Sequence, residues 1–161
     1  MKTVIVICAM CVLFMPAALA QTADVTAKPL SDSDIQLLRS DVQAGKNDII
    51  THTMAFNDQE SAAFWPVYRD YARDQQVIGD DRWKLIKDYA ANYDTLDDAK
   101  ADDLAKQMFS IDAKTTKLRE DYWPKFQKAL GGKRAAKFYQ VDARLSLIIN
   151  LELSSEIPLL R

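Results

Sequence analysis

Residues 58–93 read DQESAAFWPVYRDYARDQQVIGDDRWKLIKDYAANY. Phe64, Tyr71, Ile78 and Leu85 recur at seven-residue intervals, and Val67, Tyr68 and Tyr89 fill the same stripe. Apolar residues at that spacing lie on one face of an α-helix. The stretch therefore predicts one long amphipathic helix from about Asp58 to Tyr93, roughly 50 Å long at a rise of 1.5 Å per residue. Gly79 is a weak point in it. Asn57 stands just before the helix and Glu60 three residues on, which predicts a capping box at its start.

Asp94-Thr95-Leu96-Asp97 predicts the next break, with Thr95 or Asp97 as cap. Asp97, Asp98, Asp102 and Asp103 suit the positive end of a helix dipole. Leu104, Met108, Ile111, Leu118 and Tyr122 then carry an apolar stripe towards Leu130, where Gly131-Gly132 stops the helix. A last helix carries Phe138, Val141, Leu145, Ile148 and Ile149 on its apolar side and closes at Pro158. On the other flank, Ser31 to Asp34 offer N-cap oxygens. Ile35, Leu38, Val42 and Ile49 follow at helical spacing, across Gly45. No segment alternates with period two. The fold class is all-α: a long antiparallel helical hairpin with a shorter helix at each end.

The start of the chain follows different rules. Lys2 supplies a positive charge, Val4 to Phe14 is an apolar run, and Ala18-Leu19-Ala20 is a small-x-small cleavage site. This predicts a signal peptide over residues 1–20, a flexible lead-in over 21–30 and a single helical domain over 31–161. Cys8 and Cys11 both leave with the signal, so the mature chain is expected to hold no thiol and no disulfide. The expected location is the periplasm, with no stable membrane insertion after cleavage. The mature chain has 20 basic and 23 acidic residues. Ala113 to Arg144 holds nine basic and three acidic residues, a local surplus of six positive charges. Neither this balance nor the compartment supports bulk nucleic-acid binding.

Phe64-Trp65-Pro66-Val67-Tyr68 recurs in kind as Tyr122-Trp123-Pro124-Lys125-Phe126. Each is aromatic-Trp-Pro-x-aromatic. A proline inside a helix removes one backbone bond and bends the axis. In a hairpin folded at Thr95 the two prolines stand at one level, and paired bends there would curve the hairpin.

With Phe56 to Glu60, the first aromatic-proline motif, and Leu130-Gly131-Gly132-Lys133-Arg134-Ala135-Ala136-Lys137-Phe138-Tyr139-Gln140 in view, the chain resembles the Spy/CpxP family, the periplasmic LTXXQ-motif proteins. The resemblance runs from roughly Ser31 to Pro158. Phe56, Asn57 and Glu60 stand where the motif has Leu, Thr and Gln. In the second copy Gly131 and Arg134 replace Thr and Gln. The resemblance implies an exported four-helix fold that dimerises into a thin curved cradle. It also implies an ATP-independent chaperone or envelope-stress accessory role, and some relatives sense metals.

No Ser-His-Asp signature, phosphate loop or dinucleotide fingerprint occurs, so neither enzyme chemistry nor a cofactor is expected. His52 is the single histidine. It could join Asp48, four residues earlier, only as half of a weak shared metal site. The four aspartates after the turn lack calcium-loop spacing. Lys125, Lys128, Lys133, Arg134 and Lys137 form a basic stretch that could meet acidic clients, a lipid headgroup or a partner subunit. Ile157-Pro158-Leu159-Leu160 is an apolar tail that could tuck onto the domain or dock on a partner. The expected function is binding of unfolded or envelope proteins by a homodimer. The alternative is a sensor or adaptor docking on an envelope signalling protein, in one version responsive to metal.

Overall fold

The computed structural model describes residues 32–155 and 157–159, with side chains from residue 40. The expected signal peptide and lead-in lie outside the described residues, as do the side chains of Ile35 and Leu38. Four helices follow in order: α1 (Asp32–Met54), α2 (Asp58–Asn92), α3 (Asp98–Leu130) and α4 (Gly132–Ser155), with a 3-10 turn at Tyr93–Thr95. No strand occurs among the described residues. The all-α class follows. The long helices have 35 and 33 residues and the flanking ones 23 and 24.

Local chemistry sets the boundaries. The Asn57 side chain accepts from the Glu60 backbone N–H at 2.8 Å, and the Asn57 backbone N–H donates to Glu60 Oε2 at 3.1 Å. Two donors that a helix start leaves open are thereby satisfied. Asp97 caps α3 by accepting from the Lys100 N–H at 2.8 Å. Gly131 takes φ 75°, a conformation that favours glycine, and its N–H closes α3 on the Gln127 carbonyl at 2.8 Å. The chain turns there in one residue, and α4 begins at once.

α2 and α3 run antiparallel. Tyr122 donates to Asp74 at 2.6 Å, Lys114 meets Asp81 at 2.8 Å, Arg82 meets Asp112 at 3.0 Å and Lys100 meets Asp88 at 2.7 Å. As the α2 partner moves along its helix, the α3 partner moves back along its own. α4 packs against α3, and α1 against α4.

The core sits at the end of the hairpin away from the turn. Phe64, Tyr68 and Tyr71 of α2 meet Tyr122 and Phe126 of α3 and Phe138 of α4, while Ile50 and Met54 of α1 close the cluster. Phe126 and Phe138 have ring centroids 4.5 Å apart, Phe64 and Phe138 5.0 Å, and Phe64 and Phe126 5.6 Å. Tilted and edge-on rings at these distances add to the burial of their area.

Three expectations about faces are corrected. α1 turns Lys46, Ile50 and Met54 inward, while Val42 and Ile49 are exposed, Ile49 by 47 %. The cause is polar: Lys46 has a buried partner on α4, and Ile50 and Met54 share its face. On α4, Phe138, Val141 and Leu145 are buried, but Ile148 lies outward, because the inward row passes through Asp142 instead. On α3, Met108 is exposed although Leu104 and Ile111 on either side are buried.

Candidate binding surface

The repeated motif is chiefly core. Phe64, Tyr68, Tyr122 and Phe126 are buried, Trp65 and Trp123 are partly buried against them, and Pro66 and Pro124 are exposed within unbroken helices. Trp123 leans edge-on to Tyr139 at 5.5 Å. The buried aromatics are committed to packing, while Trp65 and Pro66 line an open surface cavity of about 630 Å³ with Asn47, Asp58, Ser61, Ala62 and Arg69.

A charged cluster lies beneath them. Asp142 is 0 % exposed and receives the Tyr71 hydroxyl on Oδ2 at 2.9 Å. Arg119 stands 3.6 Å from the same oxygen and Lys46 3.8 Å from Oδ1, which has no hydrogen-bond partner. Lys46 donates instead to Gln75 Oε1 at 2.8 Å. Each helix thus contributes at least one polar group to a shared knot around the buried Asp142. Burial pulls the Lys46 ammonium below its ordinary range, opposed by Asp142 and reinforced by Arg119. Burial pushes the Tyr71 phenol well above its ordinary range, and the charge of Asp142 adds to the shift. Such a cluster locks the helices in one register. The sequence reading passes over Asp142, Lys46 and Arg119. The signal for the first was present: an acid inside the Phe138, Val141, Leu145 stripe.

The basic stretch divides. Arg134 pairs with Glu60 at 2.5 Å and donates to the Met54 carbonyl at 2.8 Å. Lys137 donates to the Thr53 carbonyl at 2.6 Å. Both satisfy the open carbonyls at the end of α1. Lys125 lies over the Tyr122 ring, 3.8 Å from its centroid. Lys128 and Lys133 are exposed at the same end. Arg134 and Lys137 are thus helix-end clamps, and Lys128 and Lys133 are the outward charges.

His52 is exposed, with Nδ1 2.8 Å from the Asp48 carbonyl oxygen, four residues back on its own helix. No group of three or more His, Cys, Asp or Glu fit to hold a metal occurs among the described residues. Asp97 is a cap, Asp102 pairs with Lys106 at 2.5 Å, and Asp103 accepts from Gln107 at 2.9 Å. No helix among the described residues is long and apolar enough to cross a membrane.

Apolar side chains face outward on all four helices. Leu147, Ile148 and Leu151 of α4 are exposed by 69 %, 63 % and 70 %, and α3 exposes Met108 and Phe109. At spacing i, i+1, i+4 the α4 residues lie on one face. Arg144, exposed and four residues before Ile148, extends that row with a positive charge. The sequence stripe concealed this, because α4 is apolar on two sides. Compared with known protein families, with characterised proteins and with solved structures, the chain finds no match.

Proposed function

We propose that this chain is an exported, ATP-independent holding protein of the Spy/CpxP type, binding unfolded or envelope proteins in the periplasm. The observation that supports it is the outward row Leu147, Ile148 and Leu151 on α4, with Arg144 beside it. The inward face of that helix is already filled by Phe138, Val141 and Leu145. Contiguous exposed apolar patches on a small helical protein mark contact surfaces. A patch that mixes apolar groups with a cation holds unfolded chains through many weak contacts, since such chains offer both apolar groups and carboxylates. Release needs no nucleotide, because a client that buries its own apolar groups leaves the surface.

In the same reading two copies associate. The exposed α3 residues Met108 and Phe109 supply apolar area, and the basic Ala113–Arg144 segment faces the acidic remainder of a second copy. High salt then weakens the dimer. Pro66 and Pro124, each inside one of the long helices, curve the hairpin in this reading.

The test is Leu147→Ser with Leu151→Ser. Both residues are exposed, so stability is expected to stay within about 0.5 kcal/mol of the wild type. Protection of an aggregating client is expected to fall at least severalfold. A folded variant that protects as well as the wild type would remove α4 from the client surface.

A further inference from the structure

We propose that the last turns of α2 carry a peptide-binding groove, and that Ile157–Leu159 occupies it as a ligand built into the chain. The ligand class is a segment of another polypeptide with a proline followed by an apolar residue. Tyr89 and Tyr93 stand one turn apart, with rings edge-on at 5.6 Å. The Tyr89 hydroxyl donates to the Pro158 carbonyl at 2.7 Å, and the Tyr93 hydroxyl donates to the Leu159 carbonyl at 2.9 Å. Two neighbouring tyrosines therefore read two consecutive main-chain carbonyls of a proline-containing segment.

This is the chemistry by which aromatic-lined grooves take proline-containing peptides. Proline lacks an N–H and is already stiff, so its segment loses little freedom on docking. Contacts to carbonyls do not depend on the side chains of the ligand, so the groove accepts related segments. The fit of the tail is incomplete. Leu159 is 87 % exposed and contributes its carbonyl but almost no apolar area. Beside the seated tail an apolar cavity of about 210 Å³ remains, lined by Ile86, Tyr89, Ala90, Tyr93, Ile157 and Pro158. A segment that directed a larger apolar side chain into that space would bind better than the tail itself.

The tethered tail acts as a competitor. A ligand on a short tether holds its site at an effective concentration of about 1 mM. Only a better-fitting segment displaces it, so the tail sets a threshold for occupancy. The groove lies at the turn end of the hairpin, away from the aromatic core. The inference does not rest on the holding activity, and peptide binding and client protection are separate measurements.

The experiment uses a fluorescent heptapeptide with the sequence of residues 155–161, titrated by anisotropy into the full chain. The wild type is expected to bind it weakly. A full-length variant with Ile157→Asp and Pro158→Ser, whose tail is no longer a good ligand, is expected to bind at least tenfold more tightly. Adding Tyr89→Phe and Tyr93→Phe to that variant removes both donors and is expected to weaken binding about tenfold. A peptide with alanine in place of proline is expected to bind severalfold more weakly. Circular dichroism checks the fold of each variant. The proposal is overturned if the tail-released chain, fully helical, binds no more tightly than the wild type. It is equally overturned if loss of both tyrosine hydroxyls leaves binding unchanged, and equal binding of the alanine peptide removes proline from the recognition.

Discussion

Glu60 and Arg134 form an ion pair at 2.5 Å across 74 residues of sequence, and Arg134 reaches on to the carbonyl of Met54. One residue thus completes the capping box of α2, and its partner clamps the end of α1 from α4. Three chain segments meet at this pair.

Removing either member leaves the other partly buried without its counter-charge. Arg134→Ala is expected to cost about 2–3 kcal/mol, since a charged hydrogen-bonding group is lost at several acceptors. Glu60→Ala is expected to cost about 1–2 kcal/mol through loss of the cap and the pair. The double variant is expected to lose less than the sum, with a coupling of about 1 kcal/mol in urea titrations. Strict additivity would show that the pair contributes nothing of its own.

The Asp142 knot gives a sharper case. Asp142→Asn keeps the shape but leaves Lys46 and Arg119 without their shared counter-charge. The expected loss is about 3 kcal/mol, as for a broken buried pair. Adding Lys46→Met to Asp142→Asn is expected to restore part of that loss, because the uncompensated charge goes with it. A double variant less stable than Asp142→Asn alone would contradict this assignment.

Alkaline pH tests the same region. Burial holds the phenols of Tyr68, Tyr122 and Tyr139 up to about 12, with the charge of Asp74 adding to the effect at Tyr122, and pushes Tyr71 in the same direction. The folded chain therefore keeps these protons where the unfolded chain, titrating near 10, has released them. Their contribution is present below pH 10 and is lost as pH rises through about 12. Lys46 works the opposite way, since its lowered value favours the folded chain as pH rises towards 10. Four tyrosines outweigh one lysine, so stability is expected to fall between pH 10 and 12. Tyr71→Phe is expected to flatten that fall, as read by the urea midpoint at each pH.

The helices were legible because their signals are local. Asn57 with Glu60, Asp97 and Gly131 each act within four residues, and the heptads of α2 repeat along one element. The inward faces of α1 and α4 were not, because a long-range partner decided them. Lys46 ranks below Val42 and Ile49 as a core residue until Asp142, 96 positions on, supplies its counter-charge. The basic stretch reads as one surface for the same reason. Nothing near Arg134 and Lys137 in sequence announces that they will meet the end of α1. The seating of the tail depends on Tyr89 and Tyr93, whose hydroxyls find carbonyls more than 60 residues away.

Holding activity without nucleotide is open to direct measurement. Light scattering from several unrelated unfolding proteins, with residues 21–161 at equimolar ratio and no ATP, measures it. Scattering is expected to be suppressed for each client, with capture weakened by Lys128→Glu and Lys133→Glu, the outward charges beside the clamps. A folded wild-type chain that leaves the scattering of every client unchanged would contradict it and would favour a role as an adaptor for one envelope partner.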